Sequence, residues 1–198
     1  MAKTRTPKKN RVKLTTYGEF LVLFPCCTEE HQAELLDTLS HAERPAFVAG
    51  KEVPATLNMI TYGQLDDLSR ISTDSDPAAR VFKILMDIEA PLVYQMNVFD
   101  VFGFLNFAKE EVKRINKLFA DIAPSHTTEE LAAGIEDLNF GTFGVIDWYA
   151  RRMGITNQDE VYSVAWVRIY TCMKNDNEQS EYEKRLNKQY INRHKKGK

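Results

Sequence analysis

Cys26, Cys27 and His31 are the residues whose types suit a metal, because thiolate and imidazole ligands bind zinc. A structural zinc site takes four ligands, usually with two to four residues between paired cysteines, and here the cysteines are adjacent with no second pair. Small buried hydrophobes are therefore the preferred reading of the thiols. The acidic pairs Asp66-Asp67, Glu110-Glu111 and Glu129-Glu130 fall in first turns or on polar helix faces, where they favour the helix dipole or solvation. Acid-base catalysis would need burial or convergent partners, which the spacing does not supply. Nucleotide-binding glycine loops, the H-E-x-x-H zinc motif and the G-x-S-x-G elbow are all missing from the sequence. The expectation is a non-enzymatic chain with no catalytic residue, metal ligand or cofactor.

Binding chemistry is better represented. Trp148, Tyr149, Arg151, Arg152, Trp166, Arg168 and Tyr170 crowd into one short stretch, and tryptophan, tyrosine and arginine are the residues favoured at protein interfaces. Single core stripes do not accommodate all four rings, so some are expected at the surface; packing of all four in the core is the competing reading. Charge is unevenly spread. Residues 1–13 hold six basic side chains and no acid, residues 183–198 carry a net +6, and the body between them carries −14 within a whole-chain charge of −2. Lys8, Lys9, Arg11, Lys13, Arg193, Lys195 and Lys196 are thus candidates for weak electrostatic contact with nucleic acid, or are simply solvated.

The elements that would position these groups are helical. Thr16, Thr28, Thr61, Asp76 and Thr127 can each cap a helix, with glutamine or glutamate three residues beyond Thr61 and Thr127 completing a reciprocal cap. Apolar residues recur at helical spacing through Leu65, Leu68 and Ile71, through Val81, Ile84, Leu85 and Ile88, and through Leu105, Ala108, Val112, Ile115 and Phe119. Pro91 is expected to end the helix begun at Pro77, and Gly103 to bend or divide the longest one. Prolines and Gly50 make 44–57 a connector, with an extended piece around Phe47. Gly154 should close a helix over 141–153 and Thr156 should cap the next, which 175–177 interrupts before a charged helix over 182–190.

These signals predict an all-α irregular bundle of six to eight helices with flexible basic termini. At 198 residues, with 43% hydrophobic and 27% charged residues, one folded body is expected. It divides into a disordered basic arm at 1–13, a helical core at 14–174, and a charged helix with a basic tail at 175–198. Thr16-Tyr17-Gly18-Glu19 and Thr61-Tyr62-Gly63-Gln64 echo each other at a separation of 45 residues. Duplicated helical hairpins at 14–42 and 59–90, or shared helix-start chemistry, would both produce that echo. The N-terminus leads into no apolar stretch of the kind a secretory signal needs, and no run is apolar enough to span a membrane. Three cysteines, two of them adjacent, argue against a disulfide framework, so reduced thiols inside a cell are expected.

The segments 147–155, 160–170 and 178–198 resemble those of helical tail assembly chaperones of long-tailed bacteriophages. Asn58 to Leu68 and the helix after Pro77 resemble segments of small phage assembly proteins. The resemblance implies a small, acidic, non-enzymatic helical protein in the host cytoplasm that holds a structural partner such as the tape measure protein. A homo-oligomer is compatible with it, and no membrane partner is implied. The basic N-terminal arm departs from that pattern. It fits the alternative, a virion component of neck, tail or capsid whose basic ends touch nucleic acid or neighbouring subunits.

Overall fold

The computed structural model describes residues 16–122, 126–138 and 140–196, without the side chains of Glu136, Lys195 and Lys196. The 1–13 arm and Pro124 lie outside the described residues. Within them the all-α expectation holds: nine α-helices, four 3-10 turns and a single two-residue hairpin. The helices are α1 (Tyr17–Leu23), α2 (Glu29–Ser40), α3 (Tyr62–Ser69), α4 (Pro77–Met86), α5 (Ala90–Gln95), α6 (Val98–Asp121), α7 (Thr128–Ala132), α8 (Gly141–Met153) and α9 (Trp166–Lys196). Among the described residues, none is long and apolar enough to cross a membrane.

The helix starts form as their caps dictate. Thr16, Thr61 and Thr127 each accept a backbone N–H three residues on, while Glu19, Gln64 and Glu130 reach back to the cap's own N–H. The extended piece around Phe47 is a hairpin of β1 (Phe47–Val48) and β2 (Lys51–Glu52), turned by Ala49 and Gly50, both at positive φ.

Two apolar half-cores lie along α6. Tyr17, Phe20, Leu39, Phe82, Val93 and Phe104 belong to the first. Leu65, Ile115, Ile146, Tyr149, Trp166 and Ile169 belong to the second. Helix α6 enters the first with Val98, Val101 and Phe104 and the second with Ile115, while Phe107 packs against both.

Each half-core is closed by the same latch. In the first, the Tyr17 N–H donates to the Met96 carbonyl at 2.9 Å, Thr16 bridges Asn97, and Gly18 lies against Tyr94 so closely that an added Cβ would sit 3.1 Å from the Tyr94 carbonyl oxygen. In the second, the Tyr62 N–H donates to Val164 at 2.8 Å, Thr61 bridges Ala165, and a Cβ on Gly63 would sit 3.0 Å from the Tyr162 carbonyl oxygen. A further echo is now visible: Val93-Tyr94 precedes α6 as Val161-Tyr162 precedes α9, and both valines are fully buried. The structural repeat is the latch rather than a duplicated hairpin, since α2 packs on α6 whereas α4 packs on α3, α5 and α6.

Several boundaries differ from the sequence reading. Helix α4 ends at Asp87, which takes a left-handed conformation at φ 50°, and the Lys51 ammonium donates to the Met86 and Asp87 carbonyls. Pro91 instead occupies the first turn of α5, where its missing N–H costs nothing. Gly103 leaves α6 unbroken; its bare Cα admits the Glu43 backbone, whose carbonyl an added Cβ would overlap. Asn157, not Thr156, caps the next element, the 3-10 turn Gln158–Ser163. No interruption occurs at 175–177: α9 runs on for 31 residues, with Asp176 held by Arg152 and Lys174 beside Glu178 one turn on. The separate C-terminal helix expected from residue 182 is the end of α9.

Two substitutions test this geometry. Gly103→Ala gains about 1 kcal/mol of helix propensity yet is expected to destabilise the fold by ~3 kcal/mol, because the Glu43 backbone must move. Ala49→Asn, at a positive-φ turn position, should raise stability by ~0.5–1 kcal/mol. Urea midpoints of the two variants check both signs.

Candidate partner-binding surface

Of the four rings of which some were expected to be partly exposed, Trp166 and Tyr149 are not. Trp166 is 2% exposed and Tyr149 1%, both inside the second half-core. The reason for Trp166 is the latch: as the first residue of α9 after the bridged Ala165, it is carried inward and its indole N–H donates to the Leu57 carbonyl at 2.8 Å. Tyr170 is half-buried, edge-on to Phe119 and Trp166. Trp148 is also half-buried, beside Tyr149.

The arginines separate into different roles. Arg152 makes a two-pronged pair with Asp176 at 2.8 and 2.9 Å, tying α8 to α9. Each holds the other's charge: the Arg152 pKa is raised and the Asp176 pKa lowered, in both cases first by this hydrogen bond. Arg151 pairs with Asp147 on its own helix at 2.9 Å, and Arg168 is exposed on α9. Arg193 is exposed near the end of α9; Lys195 and Lys196 continue that helix. Lys8, Lys9, Arg11 and Lys13 lie outside the described residues.

A polar set that sequence reasoning did not single out supports Trp166. Glu111 accepts the Leu57 N–H at 2.8 Å and both Nε and Nη2 of Arg114 at 2.8 Å, and the Arg114 guanidinium lies 5.9 Å from the Trp166 ring centre. Leu57 is thus gripped at both backbone groups, by Glu111 and by Trp166. The Arg114 hydrogen bond, assisted by the Leu57 N–H, holds the Glu111 carboxyl below its ordinary value. Only the i,i+3 spacing of Glu111 and Arg114 was visible in the sequence; their reach to Leu57 spans 54 residues.

Beside this half-core lies an open recess of about 230 Å³, lined among others by Tyr62, Asp66, Asn116, Phe119 and Thr142. Asp66 is the one buried charged residue among those described. Its two oxygens take the Thr142 hydroxyl at 2.7 Å and Arg70 at 2.7 Å. Burial, then the nearby Asp66 charge, pushes the Tyr62 phenol up to about 12, so it stays protonated. The vicinal thiols Cys26 and Cys27 bond to carbonyls of the preceding helix, Val22 and Leu23, and His31 bonds to Thr28. Among the described residues no cluster of three or more His, Cys, Asp or Glu is arranged to hold a metal.

Two large exposed rings sit just before and within the first turn of α8. Phe140 is 69% exposed and Phe143 61%, with Leu138 and Leu131 also exposed. Gly141, at φ 53°, turns the chain into α8, and Gly144 lets Phe140 fold back over the first turn: a Cβ there would stand 2.6 Å from the Phe140 Cβ. Residues 127–140 include Glu129, Glu130, Glu136 and Asp137 and no lysine or arginine, so the segment that leads into α8 is acidic. Helical spacing groups Phe143 with Ile146, Ala150 and Met153 on one apolar face, yet Ile146 and Ala150 are buried and Phe143 is not.

No protein-family model matches this chain, and no curated protein or solved structure matches it significantly.

Two measurements probe the Leu57 grip. Trp166→Phe keeps most of the ring but leaves the Leu57 carbonyl only the longer bond from the Ile60 N–H at 3.4 Å, for an expected loss of about 1 kcal/mol in denaturant unfolding. The pH dependence follows from Glu111. Its folded pKa lies below the ordinary 4.5, so the unfolded chain binds the proton more readily and the stabilisation is complete above 4.5. It disappears as pH falls through the folded value. The stability gap between the native chain and Glu111→Gln should therefore be widest near about pH 7 and close on acidification.

Proposed function

We propose that this chain is a non-enzymatic bacteriophage assembly protein, a tail assembly chaperone that holds an apolar or amphipathic segment of a structural partner such as the tape measure protein. The observation that carries the binding reading is the pair Phe140 and Phe143, two large rings left more than half exposed at the start of α8. Large apolar groups in that position favour a protein partner, since burying them recovers hydrophobic free energy that folding leaves unused. The acids at 129, 130, 136 and 137 favour a partner helix with basic residues flanking its apolar stripe. The recess beside Tyr62 adds no rival chemistry, because Asp66 is already paired with Thr142 and Arg70. The phage assignment itself rests on the sequence resemblance, and with it the expected site of action in the host cytoplasm.

The alternative, a virion component touching nucleic acid through basic ends, draws on the exposed Arg185, Lys188 and Arg193 at the end of α9. Phosphate binding by such residues loses affinity steeply with salt, whereas aromatic anchoring does not.

The test is co-expression with the tape measure protein of the same genome. Phe140→Ala with Phe143→Ala should leave unfolding stability within ~0.5 kcal/mol, since both rings are already exposed. Partner affinity should drop about 30-fold or more if these are hot-spot residues. Gly144→Ala, which displaces Phe140 without removing it, should give an intermediate loss. Undiminished retention of the partner by the double variant rejects the reading.

A further inference from the structure

Two unpartnered helix faces of opposite charge stand on different half-cores. The first is the α1–α2 hairpin, where Val22 is 70% exposed and Leu21, Leu23 and Leu36 also face solvent. Residues 16–43 contain six acids and no lysine or arginine. Glu30, Glu34 and Asp37 share one side of α2 at helical spacing, and among the described residues none of the three has an ion-pair partner. The hairpin is stiffened at its bend, where the Gln32 amide donates to the Phe24 and Cys27 carbonyls at 3.0 and 3.1 Å.

The second face is the end of α9. Its start is locked into the second half-core through Trp166 and Ile169, and 31 residues of helix extend about 46 Å. From residue 187 to 194 every side chain is exposed. Residues 184–194 carry Lys184, Arg185, Lys188 and Arg193 with no acid, beside the exposed apolar Tyr190 and Ile191. Arg185, Lys188 and Arg193 likewise have no ion-pair partner among the described residues.

We propose that copies of this chain associate head to tail, the basic aromatic end of α9 from one copy seating on the acidic apolar α1–α2 hairpin of the next. Charge complementarity names the occupant. Each face supplies what the other lacks, and each sets exposed apolar groups among its charges, which a phosphate backbone would leave unburied. Within one chain α1 and α2 pack in the first half-core, whereas α9 starts in the second. In the second acidic surface, at 129–137, the Glu130 carboxyl is held below its ordinary value first by the Thr127 backbone N–H, with the charge of Lys184 on its own α9 adding to this. The α1–α2 hairpin is therefore the better acceptor. A heterologous contact of this kind leaves one donor and one acceptor at the ends of every assembly, so it grows into a ring or an open chain. A contact confined to ~20 Å of helix is at the small end of specific interfaces and should be weak, with Kd on the order of 1–100 µM.

Sedimentation of the full chain tests this. The average mass should rise across about 1–300 µM and fall back at least tenfold in association constant between ~0.05 and ~0.5 M salt. Glu30→Lys with Glu34→Lys and Asp37→Lys should be monomeric, as should Arg185→Glu with Lys188→Glu and Arg193→Glu, each with unchanged helical circular dichroism. Mixed in equal amounts, the two variants should associate again, because the reversed hairpin of one now complements the reversed tail of the other. Glu129→Lys with Asp137→Lys should associate like the native chain. The proposal is overturned by a native chain that stays monomeric throughout. Association surviving either triple reversal, a mixture that fails to recover, or loss on the 129/137 change also overturns it, as does a native α9 end that takes up a DNA duplex instead of a second copy.

Discussion

A helix can begin flush against another segment only if its first turn has a backbone donor aimed outward and no side chain at the point of approach. Thr-Tyr-Gly meets that requirement in three residues. The threonine turns the chain and satisfies its own first-turn donors with Glu19 or Gln64, freeing the tyrosine N–H to bond across to Met96 or Val164. The glycine then accepts the backbone of Tyr94 or Tyr162 where any Cβ would crowd it. Because the latched segment runs directly into α6 or α9, each latch fixes the starting point and direction of a long helix. The latches alternate along the chain, so neither half-core closes before distant residues have met: Tyr62 waits for Val164 across about a hundred residues.

The second half-core adds a polar grip to this apolar closure. Leu57 enters as a buried connector residue whose N–H would be orphaned and whose carbonyl would keep only a long bond from the Ile60 N–H, and leaving a buried group unpaired costs more than a normal hydrogen bond gains. Glu111 and Trp166 take one each, from α6 and α9. Arg114 then neutralises Glu111 in two-pronged geometry while resting on the Trp166 ring. Trp166 is thereby engaged through its N–H, through its face and through its packing, which is why a residue type favoured at interfaces is here a keystone of the interior.

What was legible in the sequence was local. The caps at Thr16, Thr61, Asp76 and Thr127 and the stop at Gly154 depend on neighbours three or four residues away, and the structure has them all. The run 175–177 read as a break because its polar residues favour turns in isolation; Arg152, reaching from α8 to Asp176, overrides that preference. Pro91 read as a stop because nothing in the sequence marks Asp87 as left-handed before it. The Val-Tyr half of the latch went unread since two residues at a spacing unlike the first echo make no pattern. Which rings would be buried was equally invisible: Trp166 and Phe143 are both aromatic residues in helices, and only the bridge at Ala165 turns the first of them inward.

The exterior follows a different logic from this tightly paired interior. Arg152 pairs with Asp176 across α8 and α9, and Arg114 with Glu111 along α6, each in two-pronged geometry. Part of the remaining charge is interleaved in pairs such as Lys83 with Asp87 and Glu89, and part is segregated, with acids gathered along 16–43 and 127–140 and bases gathered along 1–13 and at the end of α9. Segregation of this kind does nothing for the fold, because like charges along one helix repel. It does raise the field outside the molecule and steers opposite charges toward it over roughly a Debye length, ~8 Å at physiological salt. Exposed apolar groups within those charged zones supply short-range attraction once the steering has acted. A surface built that way works against the fold it covers, and the stability it costs has to be met by the paired groups and latches of the interior.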